Sequence, residues 1–597
     1  MPRRLAHLAL PWSIALIEPA DVTGLLRYAR TAAGITPDQL LFQVLRRLQG
    51  AAAPRQPAVT SAPAEVWDRL AARMRETPPP AEWDSLETAT AAIAGSWELL
   101  GTPVQVDASL DWSQRVGRPL QSFHLQYHEQ LRALAWHYDR TGDARALATI
   151  ESVVMRWIAS TARGGGDAWH PYPISVRVFA WTDVLALVGN RFSAGVRDAM
   201  LASLASQLDV LARRRERQID ANHLQRNDAA LAVGGIVFTG RASARWRRVG
   251  LDGTWRALQN HVLDDGMHYE RSPMYHAGML GDVLRVIDCC HAAGADVPDA
   301  ALRRVASMVR ALQLLTRSDQ SLHQFNDTAA LIAPPTAWLA ERAARSIGHA
   351  VATTVPTDGA WLLPQGGYAG WRDPGAGVQI AFDAGAAGPR QQPGHAQCDA
   401  LSFELCLDHR PVIVNAGVHG YDHDPYREYS RSTRGHSTVQ IGAFEQHEMW
   451  ATFRVARFGA VRGPIIESDR PWAVSGEVQA YLDGRHQRRL ELMAPNCLRI
   501  TDTVAGPSGE IARSRLILHP DFTAVAEGNV VIATRGTLEL KIEAAEGAMV
   551  QIRHSSMSPV EGWYFPTFGS ACATTTVVSE RRLPSPPIVT TLRWRQR

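Results

Sequence analysis

The hydrophobic periodicity of this chain changes once, near residues 351–370, and this change limits the possible folds more than any other feature. From about 64 to 350, apolar residues recur every three or four positions, as in ALATIESVVMRWIAS (146–160), which predicts helices. After the change, short alternating runs such as GVQIAFDAG (377–385) and CLRITDTVAG (497–506) predict the strands of an antiparallel sandwich. The chain therefore divides into a helical part and a β part.

The order of these patterns predicts an α+β multidomain chain. Many helices in series with short connections indicate stacked helical hairpins, arranged as a toroid or a solenoid. A chain of 597 residues is also expected to form more than one core. We predict a helical lead-in with an Ala- and Pro-rich linker (1–63), a helical domain (64–360) and an antiparallel β-sandwich (361–597). The junction between the two large domains is the natural place for a cleft.

The charge balance limits the class of partner. Lys and Arg number 62 and Asp and Glu 59, which leaves a net charge of +3. This excludes a strongly basic nucleic-acid binder and leaves room for a local basic cleft. After residue 17, no stretch of the sequence is long and apolar enough to span a bilayer.

The N-terminus and the cysteines bear on the compartment. The apolar stretch Leu5 to Ile17 resembles a secretion signal, but His7 and Pro11 interrupt it and no small-x-small cleavage site follows. The six cysteines show no disulfide framework, which favours reduced thiols. We therefore expect a cytoplasmic location, with a periplasmic or secreted location as the alternative.

Two clusters of polar and titratable side chains lie near the ends of predicted helices. The first, DANHLQRND at 220–228, contains Asn222, His223 and Arg226. Its ordinary interpretation is a helix cap, because Asn and Asp favour that position. The second, at 264–276, contains His268, Glu270, Arg271 and Tyr275. A helix that starts with Pro in its first turn accounts for the Ser-Pro pair in this cluster, and leaves the titratable residues unexplained.

Two further clusters lie in the β part. The third, at 393–404, contains His395 and Gln397 directly before a predicted strand, and its ordinary interpretation is a turn. The fourth, at 421–454, is rich in aromatic and basic residues: Tyr421, Arg427, Arg431, Arg434, Trp450 and Arg454. Arginines suit carboxylates because of their forked donors, although a solvated hairpin is the ordinary interpretation here.

Several enzyme classes are disfavoured by missing motifs. The sequence has no GxSxG elbow, no Walker loop and no dinucleotide fingerprint. The His-x-Gln-x-Asp pattern at 395–399 is not a zinc motif, because Gln is a poor zinc ligand.

The four clusters, in this order, resemble the heparinase II/III-like polysaccharide lyases. The resemblance covers about 120 to 520. It is carried by FHLQY (123–127), WHPYPISVR (169–177), ANHLQRN (221–227), HYERSPMYH (268–276), FND (325–327), PGHAQCDALSFEL (393–405), VIVNAG (412–417), RSTRGHSTV (431–439), HEMWATFRVAR (447–457) and RSRLILHPDF (513–522).

The resemblance implies an (α/α) toroid joined to an antiparallel β-sandwich, with sugar bound between them. It implies β-elimination at a uronic acid, which leaves a 4,5-unsaturated uronate end. Asn222 matches the family's carboxylate-neutralising Asn, while Tyr275 and His395 match its acid/base pair, with either residue as base according to the stereochemistry at C5. A tyrosine base needs a lowered pKa, which nearby cations are expected to provide. The expected substrate-binding residues are His223, Arg226, His268, Glu270, Arg271, Asn326, Tyr421, Arg431, Arg434, Trp450 and Arg454.

The resemblance also implies a structural metal site in part of the family, at the positions of Gln397, Asn415 and His436. Many relatives carry His and Asp where this chain has Gln397 and Asn415. Two neutral amides disfavour zinc, while a harder ion such as calcium or manganese stays an alternative. The chemistry itself requires no cofactor.

Two other functions remain open. A glycoside hydrolase would need two carboxylates that flank the scissile bond, and Glu270, Asp327 and Glu404 are the candidates. A non-catalytic glycan-binding protein of a polysaccharide-synthesis system is the non-enzyme alternative. The leading expectation is a lyase whose partner is an acidic polysaccharide or oligosaccharide, either glycosaminoglycan-like (heparan sulfate, hyaluronan or chondroitin) or a bacterial uronate polymer, with no nucleic-acid partner and no membrane span.

Overall fold

The computed structural model describes residues 22–48, 52–80, 86–348, 358–480, 482–545 and 547–597. The stretch Leu5 to Ile17 lies outside these residues, so the cytoplasmic location stays a prediction. Among the described helices, none combines the length and the apolar character needed to cross a membrane.

Fifteen α-helices occur in the described part of the chain. They are α1 (Val22–Ala33), α2 (Pro37–Leu48), α3 (Ala64–Glu76), α4 (Leu86–Ile93), α5 (Pro119–Tyr127), α6 (Gln130–Thr141), α7 (Ala144–Thr161), α8 (Pro171–Val188), α9 (Val196–Arg214), α10 (Ala221–Val237), α11 (Arg241–His261), α12 (Pro273–Ala292), α13 (Asp299–Leu314), α14 (Thr336–Ile347) and α15 (Pro425–Arg431).

The helical domain is a toroid of two concentric layers. Helices α6, α8, α10 and α12 contact one another in sequence and form the inner layer, while α7, α9, α11 and α13 pack outside them. The sequence agrees with this division, because α8 is rich in apolar residues and is buried at almost every position, including Arg177 and Asp183. The outer helix α7 buries only one face. The N-terminal ends of α10 and α12 carry the first and second polar clusters predicted above.

Glycines let α10 and α11 approach closely. A Cβ at Gly235 would lie 2.2 Å from the backbone nitrogen of Arg247, and one at Gly250 would lie 2.2 Å from that of Ala232. Only glycine fits at such distances, so this sequence fixes how α10 sits in the inner layer.

The β domain is built from short antiparallel strands. The described strands are β1 (Thr60–Ser61), β2 (Ser96–Leu99), β3 (Thr102–Gln105), β4 (Phe238–Thr239), β5 (Gly359–Leu363), β6 (Tyr368–Asp373), β7 (Val378–Asp383), β8 (Phe403–Leu407), β9 (Arg410–Val414), β10 (Val439–Ile441), β11 (Met449–Trp450), β12 (Arg454–Val455), β13 (Ala460–Asp469), β14 (Trp472–Gln479), β15 (Arg485–Ala494), β16 (Cys497–Ala505), β17 (Ile511–Leu518), β18 (Thr523–Glu527), β19 (Val530–Arg535), β20 (Leu538–Ala544), β21 (Met549–His554), β22 (Ser556–Met557), β23 (Val560–Glu561), β24 (Trp563–Tyr564), β25 (Cys572–Ala573), β26 (Thr575–Arg582) and β27 (Ile588–Gln596).

Two sheets form the sandwich. One has nine strands in the order β21-β26-β17-β9-β8-β7-β6-β5, with β10 also paired to β17. The other has eight, in the order β13-β14-β15-β16-β27-β20-β19-β18. Apolar side chains from both sheets, such as Phe403 and Leu540, share one core. The predicted fold class, a helical toroid followed by an antiparallel β-sandwich, is confirmed.

The two domains meet through buried polar contacts. Arg317, which follows α13, donates three hydrogen bonds from Nε and Nη2 to the carboxylate of Glu404 in β8, at 2.8–3.0 Å. Arg372 of β6 donates to the carbonyl groups of Gln313 and Leu314 at 2.6 and 2.8 Å. The first sandwich strand, β5, begins at Gly359, just before the predicted boundary at 360/361.

Candidate active site

A cavity of about 270 Å³ lies where the toroid meets the sandwich. Helices α5, α8, α10 and α12 supply one wall, and loops of the sandwich supply the other through His395, Tyr421, Phe453 and Phe568. Asn222, His223, Arg226, Tyr275, His395 and Tyr421 all contribute to its lining. The structure therefore brings the three predicted catalytic residues into one cavity.

Asn222 lies in the first turn of α10, so the first cluster forms part of the helix itself and not only its cap. The two residues before it, Asp220 and Ala221, have φ angles of +61° and +47°. Such left-handed backbone is strained for residues other than glycine and is concentrated at functional sites. The Asn222 side chain is buried, and its Oδ1 has no hydrogen-bond partner in the protein.

Tyr275 is positioned by the start of α12. Pro273 opens the helix and Ser272 caps it, as the Ser-Pro pair predicted, with Ser272 Oγ accepting from the Tyr275 backbone N–H at 3.3 Å. Its phenol oxygen lies 2.8 Å from that of Tyr421. Burial raises the pKa of Tyr275 well above its ordinary value, and the Tyr421 hydroxyl acts in the same direction. The lowered pKa expected from nearby cations is therefore not what this environment produces.

His395 lies against the face of Tyr275. The ring centroids are 3.6 Å apart and the planes are inclined by 24°. Nδ1 of His395 lies 3.1 Å from Oδ2 of Asp327. Burial lowers the pKa of His395 below its ordinary value, while the hydrogen bond to Asp327 acts against this shift. The imidazole is therefore neutral near pH 7, with its Nδ1 proton assigned by the carboxylate partner.

Asp327 and Arg427 anchor this imidazole, although neither was among the predicted catalytic or binding residues. Arg427 holds Asp327 through two hydrogen bonds of 2.5 and 2.9 Å, and Gln397 Nε2 donates a third at 2.9 Å. Burial alone would raise the pKa of Asp327, but Arg427 and His395 outweigh it and hold the pKa at about 2. The FND motif at 325–327 and the arginines of the fourth cluster carried the signal for both residues.

The toroid wall holds two further predicted residues in fixed orientations. His223 Nδ1 lies 3.1 Å from Glu216 Oε1, and burial of Glu216 is outweighed by its cationic neighbours, so that its pKa is about 2. Arg226 donates to Asp282 at 2.8 Å and to the Tyr172 hydroxyl at 2.6 Å. Both side chains face the cavity and remain placed to contact a ligand.

His268 and Glu270 lie behind the cavity and do not line it. Glu270 Oε1 is 3.9 Å from His395 Nε2, and Glu270 Oε2 is 3.7 Å from His268 Nδ1. Neither ring nitrogen of His268 has a hydrogen-bond partner in the protein, and the Glu270 carboxyl group is faced by the backbone N–H of Asn222. Burial raises the pKa of Glu270 to about 8, with the Asp220 carboxylate acting in the same direction. Their predicted contact with substrate is not supported by this position, and Glu270 is a neutral acid at pH 7.

Five other predicted binding residues bond to protein groups away from the cavity. Arg271 donates to the carbonyl groups of Gln365 and Gly366, and Asn326 bonds to Arg271 and Asp399. Arg431 is buried and donates to three backbone carbonyl groups of its own domain. Trp450 and Arg454 pack against α1. Arg434 does not line the cavity either, so substrate binding by these six stays a prediction that the geometry does not support.

The interpretation of the fourth cluster as a solvated hairpin is wrong for its centre. Residues 425–431 form helix α15, and both Arg427 and Arg431 are only 2% exposed. Both guanidinium groups form hydrogen bonds inside the protein, Arg427 with the Asp327 carboxylate and Arg431 with backbone carbonyl oxygens.

The implied metal positions carry no carboxylate, although Gln397 Oε1 and His436 Nδ1 are buried without a hydrogen-bond partner in the protein. Gln397 donates its amide to Asp327, and both amide atoms of Asn415 are bonded, to Ser402 and to the Ser437 backbone N–H. Burial lowers the pKa of His436 to about 3, and its Nε2 faces the Ser430 carbonyl. Two neutral amides and one imidazole bring no charge to offset a divalent ion, which disfavours zinc, and a metal at these positions stays a prediction. In the part of the chain that the structure describes, no group of three or more His, Cys, Asp or Glu residues is arranged to hold a metal.

Fold and site together define a two-domain protein, a helical toroid and a β-sandwich, with a candidate active site of Asn, Tyr and His at the domain junction. Two family models match the chain: "Heparinase II/III N-terminus" over residues 100–334 and "Heparinase II/III-like, C-terminal" over residues 355–593. The chain belongs to the heparinase II/III-like family.

Relatives of known activity are distant. The heparin-sulfate lyase of Pedobacter heparinus is 25% identical over 349 residues, which are 52% of this chain and 50% of that protein. The heparin-sulfate lyase of Bacteroides thetaiotaomicron is 23% identical over 366 residues, 53% of this chain and 52% of that protein. The chain thus matches about half the length of these curated relatives.

Solved structures share the fold over nearly the whole chain. A crystal structure of heparinase III has a TM-score of 0.70 at 15% identity, covering 95% of this chain and 94% of that one. A crystal structure of a mutant heparan sulfate lyase from Pedobacter heparinus has a TM-score of 0.59 at 19% identity, covering 96% and 88%. At such low identity these similarities establish the architecture alone.

Proposed function

We propose that this protein is a polysaccharide lyase that cleaves a uronate-containing, glycosaminoglycan-type chain by β-elimination. The observation that carries the proposal is the stacked Tyr275–His395 pair beside Asn222 in one cavity, with His395 held by a buried carboxylate. Elimination needs a base at C5, an acid at O4 and a neutraliser of the carboxylate, and these three side chains supply one each.

His395 is the base in this proposal. With its Nδ1 proton held by Asp327, Nε2 carries a lone pair, and the low pKa keeps that lone pair free at neutral pH. Nε2 takes the C5 proton, and the C5–H electrons form the C4–C5 double bond as the C4–O4 bond breaks.

Tyr275 is the acid. Its raised pKa keeps the phenol protonated at neutral pH, so it gives its proton to the departing O4 oxygen. The Tyr421 hydroxyl, 2.8 Å away, is placed to return a proton. The opposite directions of the two pKa shifts support this division of roles, which the motif alone left open.

Asn222 meets the third requirement. A charged carboxylate keeps the C5 proton weakly acidic, because removing that proton places more negative charge beside it. The Asn222 amide donates to the carboxylate and stabilises the developing charge, and His223 on the same helix assists.

The hydrolase alternative finds little support in the geometry. Glu404 is held by Arg317 and His323, and Asp327 by Arg427 and His395. Glu270 does not line the cavity. None of these three carboxylates is placed to flank a glycosidic bond in the cavity.

The first test is ultraviolet absorbance of the purified protein mixed separately with heparan sulfate, hyaluronan, chondroitin sulfate, alginate and polyglucuronate. Elimination creates a conjugated, absorbing uronate, and hydrolysis does not. Because the curated relatives are heparin-sulfate lyases, we expect the signal to rise with heparan sulfate. New reducing ends without absorbance would establish the hydrolase instead, and neither signal on any polymer would favour a glycan-binding protein.

A matched pair of variants ties the signal to the site. Tyr275→Phe removes the acid proton and is expected to lower kcat by about 10²–10⁴-fold with substrate binding retained. Tyr138→Phe makes the same change on α6, outside the cavity lining, and is expected to leave kcat unaltered. Equal kcat values for the two variants would contradict the assigned role.

A further inference from the structure

The helical hairpin α1–α2, residues 22–48, lies before both segments that match the family models, and we name it the strap. Its first helix is fixed to the sandwich. Arg27 Nε donates to Glu448 at 3.0 Å, and Thr31 Oγ1 accepts from the Trp450 indole at 3.0 Å. The Tyr28 ring packs edge-on against Trp450 at 4.7 Å.

The second helix of the strap is fixed to the toroid. Arg46 lies 3.3 Å from His170 Nε2 and 4.0 Å from Glu216 Oε1. The guanidinium group of Arg217 stacks over the Phe42 ring at 4.8 Å. Because His170 and Glu216 are almost fully buried, these contacts join the strap to the interior of the toroid and not only to its surface.

One strap residue bridges the two domains directly. The Gln39 amide donates to the carbonyl of Ile219 in the toroid and to that of Gln391 in the sandwich, at 3.4 Å each, and is 4% exposed. Next to it, a Cβ at Gly34 would lie 3.0 Å from the Arg390 carbonyl oxygen, so the strap rests directly on the sandwich loop. The strap therefore crosses the cleft between the domains.

At both ends of the strap, a residue that contacts the strap lies next to a residue that lines the cavity. On the toroid side, Glu216 holds His223, which lines the cavity. On the sandwich side, the β11–β12 hairpin carries Trp450 against the strap and Phe453 into the cavity lining. The strap thus spans the cleft at the end marked by His223 and Phe453.

We infer that the strap closes this end of the cleft and makes the enzyme act from chain ends rather than at internal bonds. A polymer that ran through the cleft would have to displace a hairpin fixed by ion pairs, a buried amide and aromatic packing. The cavity of about 270 Å³ is at the lower limit of ordinary ligand sites, which suits a short terminal segment. The inference rests on the proposed lyase function and adds to it the mode of cleavage.

The test compares polymer length with double-bond formation early in the reaction. On heparan sulfate, or on whichever polymer gives absorbance, the wild-type protein is expected to release one short product size while the remaining polymer keeps its length. The triple variant Arg27→Ala, Gln39→Ala, Arg46→Ala removes the fixing contacts without deleting the hairpin. It is expected to produce intermediate lengths, with the loss of mean polymer length per double bond raised at least tenfold.

Leu48→Ala is the matched control, because Leu48 lies on the outer face of the strap and is 77% exposed. It is expected to keep the wild-type product pattern. Intermediate lengths from the wild-type protein at the first few per cent of conversion would overturn the inference and leave the lyase function standing. An end-directed pattern that the triple variant retains, with the variant folded by circular dichroism, would also overturn it. Absence of absorbance on every polymer would count against the proposed function itself.

Discussion

At the residue scale, the candidate base depends on a carboxylate that never lines the cavity. Asp327 fixes the His395 proton on Nδ1, and Arg427 fixes Asp327. Replacing Asp327 with Asn leaves a neutral partner and lets the imidazole adopt the wrong tautomer. We expect kcat to fall by about 10²–10⁴-fold with little change in KM.

A second buried Asp–His–Arg group supplies the control. In the sandwich, Asp502 pairs with His486 at 2.8 Å and with Arg488 at 2.7 Å, within the second sheet. Asp502→Asn leaves a buried arginine unpaired just as Asp327→Asn does, which costs about 3–5 kcal/mol in each case. Activity per folded molecule, with the folded fraction measured by circular dichroism, separates the two. Similar losses of kcat would show that Asp327 acts through stability alone.

Glu270 makes stability depend on pH in a definite direction. Its pKa is about 8 in the folded protein against 4.5 as the ordinary value, so the folded state binds more protons between these limits. The wild-type protein therefore loses stability from this group as pH rises from about 4.5 to 8. Glu270→Gln cannot ionise, so its free energy of unfolding relative to wild type is expected to rise across this range and to level off above pH 8. Denaturant unfolding at pH 5, 6.5 and 8 measures the difference in free energy of unfolding between Glu270→Gln and wild type. A difference that does not change with pH would contradict the burial argument.

At the element scale, the sequence predicted whether a segment forms a helix or a strand better than it predicted which distant residues that segment contacts. The periodic runs at 146–160 and 377–385 became α7 and β7, and the Ser-Pro pair became the start of α12. These features are local, because periodicity and capping depend on neighbouring residues in the chain. Residues 425–431 were missed as a helix, since their two buried arginines look like surface residues until their distant partners are known.

The site followed the same division. Asn222, Tyr275 and His395 were predicted through motifs and do share one cavity. The pairing of Arg427 with Asp327 spans 100 residues, and the bridge from Gln39 to Gln391 spans 352. No spacing in one sequence encodes such contacts. For the same reason, the sequence predicted that His268 and Glu270 contact substrate, whereas in the structure they lie behind His395 and do not line the cavity.

Close packing of α10 on α11 gives a prediction about an element. A Cβ at Gly250 would lie 2.2 Å from the Ala232 backbone nitrogen and 2.6 Å from the Asp228 carbonyl, so neither helix has room to yield by a side-chain rotation. Gly250→Ala is expected to lower the free energy of unfolding by about 1–3 kcal/mol through overpacking. Gly24→Ala in α1, where nothing lies within 4 Å, is expected to raise it by about 0.5–1 kcal/mol through helix propensity. Denaturant unfolding compares them, and equal effects would contradict the packing argument.

At the scale of the whole molecule, the cavity exists only while toroid and sandwich stay together. Asn222 and Tyr275 come from one domain and His395 from the other, so the proposed acid and the proposed base face each other across the domain junction. The strap, the Arg317–Glu404 pair and the Asp327–Arg427 pair all cross this junction. Domain association is therefore part of the site's assembly.

Glu404 provides the last prediction, because it joins the domains through a buried charge. Burial alone would raise its pKa, but Arg317 and His323 outweigh burial and hold the pKa at about 2, against 4.5 as the ordinary value. The stability that Glu404 contributes is present above pH 4.5 and is lost as pH falls towards 2.

Glu404→Gln leaves Arg317 buried and unpaired, which costs about 3–5 kcal/mol. This loss weakens the contact between the two domains. Calorimetry at pH 7 is expected to show the variant unfolding in two separated steps where wild type shows one. Glu561→Gln is the control, because Glu561 pairs with Arg515 and Arg553 inside the sandwich. It is expected to lower stability without separating the domains, and a two-step transition in both variants would contradict a specific role for Glu404 at the junction.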